Sequence, residues 1–162
     1  LTIPVQLGII PLYLLMSKLG LVDTLLALIL PNLVSVFGVF WMRQSMTSNV
    51  PRELIDSGQV DGAGFFRVYW SLALPLVRSS AFVLFLFTFL TAWNDFAWPL
   101  IITQTPDNFT AQVAVSQLNA ANAPSYPAIL GGSLVMALPL IFMFIITAKQ
   151  FVAGVMDGAV KG

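Results

Sequence analysis

Residues able to carry chemistry are few in this chain, and they are of one kind. It holds 162 residues with seven Asp and Glu and seven Lys and Arg, but neither Cys nor His. That removes disulfides, thiolate nucleophiles, the commonest general base and the usual zinc ligands together. The carboxylates that remain are scattered, because Asp23, Asp95, Asp107 and Asp157 stand singly and a cluster forms only at Glu53, Asp56 and Asp61. An intramembrane enzyme would need a nucleophile or a ligand set gathered at one depth, so no catalytic residue and no metal site is assigned. The sequence has no GxxxxGK[ST] phosphate loop, so the chain is not itself an ATPase of that kind. With equal numbers of basic and acidic residues there is no footprint for nucleic acid, which is not expected as a partner.

The elements that must position these residues are read from what separates them. The chain is 58% hydrophobic and 9% charged, with a mean hydropathy of +0.90, against roughly 25% charged residues in an ordinary soluble domain. A freely soluble domain is excluded, and an all-α, polytopic membrane helical bundle is expected. About 20 residues at a rise of roughly 1.5 Å span the hydrocarbon core. Uncharged or nearly uncharged stretches long enough for this lie at residues 24–42, 79–102 and 128–148, the second interrupted by Asn94 and Asp95. Residues 1–16 are apolar but short for a span. The opening Leu-Thr-Ile-Pro has neither an initiator Met nor a basic leader, so this segment reads as the outer portion of a helix whose beginning is missing. Prolines and glycines inside the apolar segments are read as packing or kink positions. Trp93 and Trp98 are read as interfacial anchors. A carboxylate inside a membrane segment is a site hypothesis by default, so Asn94 and Asp95 are retained as a candidate for the substrate pathway.

Lys and Arg set the orientation. Arg43, Arg52, Arg67, Arg78, Lys149 and Lys161 fall on one side of the expected spans and Lys18 alone on the other. Cytoplasmic loops are enriched in these residues, so the loop at residues 47–78 and the C-terminus are expected in the cytoplasm, with residues 103–127 outside. That outer loop is rich in Asn, Gln, Ala, Ser and Thr, closes on Pro124 and Pro127, and suits one short helix around residues 111–121.

The cytoplasmic loop reads VPRELIDSGQVDGAGFFRVYWSLALPLVRSS from Val50. Pro51 suits the first position of a helix that Gly58 would stop. A second short helix is expected to start around Asp61, where a carboxylate opposes the dipole. Phe65, Phe66, Val68, Tyr69 and Trp70 would then supply a bulky apolar surface beside Arg67. Ser57, Gly58, Gly62, Ala63 and Gly64 keep the corner between the helices slim, so that another protein's backbone can approach closely. The loop therefore reads as a docking element.

Within this loop, ELIDSGQVDGAGFFRVYWSLALP resembles the EAA motif of permease subunits of binding-protein-dependent ABC importers. GIIPLYLLMSKLGLVDTLLALILP before it, TAWNDFAWPLIIT after it and the terminal QFVAGVMDGAVKG are similar to the carbohydrate-uptake branch of that MetI-like family, the branch related to maltose-type permeases. The resemblance implies the type-1 transmembrane permease fold, N-terminally incomplete, because family members commonly have six spans and the first two and part of the third have no counterpart here. It also implies that the 47–78 loop fits a cleft on an ATPase subunit. Gly62 corresponds to the glycine at the heart of the motif, Asp56 to its acidic residue, and Pro51, Glu53 and Leu54 to the segment preceding it. Ser57, Gly58, Asp61 and Ala63 complete the coupling set. Asp56, Ser57 and Gly58 stand where the family usually has Glu-Ala-Ala. The terminal segment, with Lys149, Gln150, Gly154, Gly158 and Lys161, is implied as a second contact with the ATPase pair.

A permease of this kind is not an enzyme and binds no cofactor, ATP and Mg being held by its partner. The implied partners are an ATPase subunit dimer, a second permease subunit, an extracytoplasmic solute-binding protein and the lipid bilayer. The implied location is the cell membrane of a prokaryote, multi-pass, with a cytoplasmic C-terminus. The function that follows is the transmembrane subunit of an ATP-driven importer for a sugar or oligosaccharide. Two alternatives stand beside it. One is a self-sufficient secondary transporter or channel, which would carry broken helices with ion-coordinating groups near the midplane. The other is a permease of the same fold for a solute that is not a sugar.

Overall fold

The structure is a computed structural model that describes residues 5–120 and 125–159, with side chains over residues 7–120 and 125–147. All regular elements among the described residues are helical. They are α1 (Ile9–Lys18), α2 (Leu25–Ile29), α3 (Val36–Asn49), α4 (Arg52–Val60), α5 (Phe65–Val68), α6 (Leu74–Leu76), α7 (Arg78–Trp93), α8 (Ala97–Ile102), α9 (Ala111–Ala120) and α10 (Tyr126–Ala159). A 3-10 turn follows α2 over Leu30–Asn32, and a π-turn over Tyr69–Ala73 joins α5 to α6.

The 128–148 segment falls within α10. Its Tyr126–Thr147 stretch, 22 residues with mean hydropathy 2.5, is long and apolar enough to cross a membrane. Leu130, Leu134, Leu138, Ile141, Phe142 and Ile145 are all exposed on it, as expected of a helix whose solvent is lipid.

The 24–42 segment is not one continuous helix. Leu25–Asn32 and Val36–Asn49 meet at a 42° bend. The break has local causes: Pro31 lies in the 3-10 turn, and Ser35 starts a new helix by accepting the Gly38 N–H on its hydroxyl at 3.2 Å. Asn32 donates to the Leu28 carbonyl at 3.1 Å. The polar side chains at this break are thus engaged with their own backbone rather than gathered around a coordination point. The 79–102 segment is also divided, into α7 and α8, and the division falls on the Asn94–Asp95 pair singled out from the sequence.

The chain forms two compact units, Leu26–Asn94 and, together, Leu1–Leu25 with Asp95–Gly162. In the first, α3 packs on α7: Gly38 leaves room for Leu84, and the Trp41 indole N–H donates to the Ser80 carbonyl at 3.0 Å. Ahead of α7 the Phe65–Leu76 segment turns by 81° into it at Val77, which is 1% exposed. In the second unit α1 packs on α8, and α9 packs on α10 where Gly132 lies under Val115. Ile102 and Val113 are fully enclosed there. The helix expected around residues 111–121 is α9.

Candidate functional site

The slim corner of the 47–78 loop is present, but its helices begin and end elsewhere than the sequence indicates. Pro51 is extended, with ψ 140°, and caps the helix from outside instead of occupying its first turn. Helix α4 runs straight through Gly58 and ends at Asp61. The stop is Gly62, with φ +78°. The Gly62 N–H donates to the Gln59 carbonyl at 3.0 Å and the Ala63 N–H to the Gly58 carbonyl at 2.9 Å, the paired reverse bonds of a left-handed helix C-terminus. Asp61 therefore caps the end of the first helix and does not open the second. The second begins at Phe65, capped by the extended Gly64.

Gly58 has a different task from the one its propensity suggests. A Cβ at this position would lie 2.7 Å from Leu72 Cδ1 and 3.5 Å from Val68 Cγ2, so the glycine lets α4 lie close on α5 and the π-turn. It costs α4 roughly 1 kcal/mol of propensity, and that loss is offset by the packing it permits. Leu54 and Ile55 share this half-buried side of α4, whereas Glu53, Asp56, Ser57 and Gln59 face outward. The Ser57 hydroxyl is turned back onto the Leu54 carbonyl at 3.0 Å. Between the two helices lies a groove of about 310 Å³ lined by Gly58, Asp61, Ala63, Arg67, Ser71 and Leu72.

The outward surface combines three carboxylates, Glu53, Asp56 and Asp61, with large exposed apolar side chains: Val60 at 87%, Phe65 at 78%, Phe66 at 75% and Trp70 at 63%. Phe65 and Phe66 meet edge to face at 5.6 Å, and Tyr69 and Trp70 at 5.4 Å. Aromatic anchors rimmed by charge are the composition of a protein interface centre. Nothing in the corner resembles a catalytic constellation, and among the described residues no group of three or more carboxylates could hold a metal ion.

The other sequence candidates are not brought to this corner. Asn94 ends α7, its side-chain amide donating to the Leu90 carbonyl at 2.8 Å, and Asp95 follows half-buried. Lys149, Gln150, Gly154 and Gly158 fall on the continuation of α10, beyond the described side chains, and Lys161 lies outside the described residues.

One residue that the sequence does not single out proves highly connected. Asp23 has φ +59° and accepts the backbone N–H groups of Gln104 at 2.8 Å and Thr105 at 3.1 Å on its carboxylate. Those two N–H donors, Gln104 before Thr105, hold its pKa down at about 2. The available signal was an Asp just after the Gly20 helix end. Its partners lie 81 and 82 residues away, where no local pattern reaches.

Residues 1–150 match the family described as binding-protein-dependent transport system inner membrane component. The chain is 35% identical over its whole length to the arabinooligosaccharides transport system permease protein of Halalkalibacterium halodurans, covering 58% of that protein. It is 35% identical over 99% of its length to the lactose transport system permease protein of Rhizobium radiobacter, again covering 58% of it. It is 30% identical over 97% of its length to the sn-glycerol-3-phosphate transport system permease protein of Yersinia pestis, covering 56%. In fold it is similar to a chain of a bacterial ABC transporter involved in the import of the acidic polysaccharide alginate, with TM-score 0.76, 20% identity, 88% of this chain and 55% of that one. The chain thus spans somewhat over half the length of the relatives it matches.

Proposed function

The chain belongs to the family of binding-protein-dependent transport system inner membrane components, and from that premise we propose that it is part of the permease subunit of an ATP-driven importer for a sugar or oligosaccharide. The arabinooligosaccharide and lactose relatives support that solute class. In this reading residues 1–16, 24–42, 79–102 and 128–148 are the membrane segments and residues 47–78 the cytoplasmic coupling loop. The observation that carries it is the outward surface of the corner, where exposed Phe65, Phe66 and Trp70 stand beside Glu53, Asp56 and Asp61 on a backbone fixed by Gly62. Large exposed apolar side chains rimmed by polar ones mark a partner's seat.

The partner is an ATPase subunit dimer, which holds ATP and Mg. Its closure moves the corner, and the rigid packing of α4 on the π-turn transmits the displacement towards α7. The helices then rock to expose the pathway alternately outward and inward, the other half being supplied by a second permease subunit. Solute arrives on an extracytoplasmic binding protein. Asn94 and Asp95 are assigned to the pathway, and Lys149, Gln150, Gly154, Gly158 and Lys161 to a second ATPase contact at the cytoplasmic C-terminus.

The experiment uses the full-length permease with its ATPase and binding protein. Replacing Phe65 and Phe66 together by Ser should abolish recovery of the ATPase with the permease and abolish stimulation by loaded binding protein. Normal recovery and stimulation would remove the docking assignment. The glycerol-phosphate relative favours a second reading in which the solute is a polyol phosphate, and competition for uptake between oligosaccharides and glycerol phosphate separates the two.

A further inference from the structure

We propose that Asp23 is a positioning residue that staples the base of the outer loop and presents residues 104–107 to the binding protein in one fixed arrangement. The proposal rests on the importer reading above and adds to it a residue and a place on the opposite side of the membrane from the ATPase.

Asp23 directs its polar groups onto one short stretch of chain. Its carboxylate accepts from the Gln104 and Thr105 N–H groups, its own N–H donates to the Ile102 carbonyl at 2.9 Å, and its carbonyl accepts from the Asn108 side-chain amide at 2.7 Å. Asn108 also reaches the Thr105 hydroxyl at 3.3 Å. A left-handed φ is tolerated by Asp far better than by most side chains, so both the conformation and the acceptor select this residue type. The bonds to an ionised carboxylate are of the stronger, charge-assisted kind.

Both ends of the staple are anchored. On one side α1 closes at Gly20, where the Leu21 N–H donates to the Met16 carbonyl at 2.9 Å, and the Thr24 hydroxyl holds the Leu21 carbonyl at 2.6 Å. On the other, Ile102 is fully enclosed, Thr103 is 5% exposed, and the Thr103 hydroxyl donates to the Pro99 carbonyl at 2.7 Å. Between these anchors Gln104, Thr105, Pro106 and Asp107 are exposed. A polar lip on a clamped base is a preorganised contact, which lowers the ordering cost of binding. The Lys and Arg asymmetry puts it outside, where a solute-loaded binding protein would arrive.

The test is made in the complete complex of full-length permease, partner permease, ATPase and loaded binding protein. Asp23→Gly keeps the left-handed backbone and removes the acceptor. Asp23→Asn keeps both the conformation and one accepting oxygen. The expected result with Asp23→Gly is a rise of about five- to tenfold in the binding-protein concentration that half-saturates ATPase stimulation, with a plateau changed by less than about twofold. Asp23→Asn should recover most of that loss, and hydrogen exchange at the Gln104 and Thr105 amides should be fast in the Gly variant and slow in the Asn variant. A residue that merely supported the fold would lower assembly yield without moving the half-saturation. Faster exchange with unchanged half-saturation would overturn the positioning role, and unchanged exchange would overturn the staple itself. If Asp23→Gly does not assemble, the Asn variant decides: a shifted half-saturation despite slow exchange contradicts the proposal, and native half-saturation with slow exchange supports it. Absence of stimulation in the unmodified complex would instead bring down the importer reading, and this proposal with it.

Discussion

At residues 18–24 and again at residues 60–65 a helix ends on the same device. Gly20, with φ +69°, and Gly62, with φ +78°, each supply the left-handed residue. The paired reverse bonds close at 3.1 and 2.9 Å in the first case and at 3.0 and 2.9 Å in the second. After this shared beginning the two corners diverge. The first turns in on itself: Asp23 and Asn108 tie it to a stretch more than 80 residues away. The second leaves Val60, Phe65, Phe66 and Trp70 exposed beside outward-facing Glu53 and Asp56. The physical distinction is between a corner whose polar groups are satisfied within the chain and a corner whose apolar surface is not. The first holds its own shape, and the second presents apolar surface.

The comparison can be broken most forcefully at the corner of residues 60–65. Phe65→Asp together with Phe66→Asp should reduce ATPase recovery more than tenfold, since central aromatic anchors contribute about 2 kcal/mol or more each. The same pair should leave the detergent-solubilised permease's thermal stability nearly unchanged, because both rings are already exposed. A large loss of stability would mean that these rings pack within the protein.

Next in size is the packing beneath that surface. Gly58→Leu places a branched side chain where Leu72 already lies, and overpacking of this kind costs about 1–3 kcal/mol. Gly58→Ala should stay within about 1 kcal/mol of the native chain, because the obstructing atom is the flexible end of Leu72 and alanine raises helix propensity. Thermal unfolding of the two variants in detergent sharpens the point, and equal melting points would deny the close approach of α4.

The corner of residues 18–24 should be the acid-sensitive one. The Gln104 and Thr105 N–H groups hold the folded pKa of the Asp23 carboxylate at about 2, below the ordinary value of a free aspartate. The unfolded chain therefore binds the proton more readily between these values, and stability contributed by the staple is complete above the unfolded pKa and lost as pH falls through the folded one. Hydrogen exchange at Gln104 and Thr105 should be flat from neutral pH to about pH 4, after correction for intrinsic rates, and protection should fall on further acidification. Asp23→Asn should remove that acid transition, and its persistence in the variant would assign it to another group.

What the sequence discloses and what it conceals divide along the same line between local and distant. Helix α10 is legible because its apolar run is long and continuous, and α9 because Pro124 and Pro127 bound a polar loop. The continuity expected of residues 24–42 fails because hydropathy is blind to capping, and Ser35 restarts a helix inside an apolar run. Gly58 is mistaken for the helix stop because its propensity argues that way, and its packing on Leu72 comes from outside the helix. The exposed aromatic and acidic residues of the 47–78 loop are legible as a cluster, since their neighbours are sequence neighbours. Asp23 is not, because its meaning lies in Gln104 and Thr105.

The smallest perturbation also gives the most direct measurement. The native chain has no Cys, so single cysteines can be placed at exposed Asp56 and exposed Asp107 of the full-length permease with little effect on folding. Short-span thiol cross-linking in the assembled complex should join position 56 to the ATPase subunit and position 107 to the loaded binding protein, never the reverse. Cross-linking of position 56 to the binding protein, or assembly with the ATPase that leaves position 56 open to an aqueous thiol reagent and unlinked, would contradict the account.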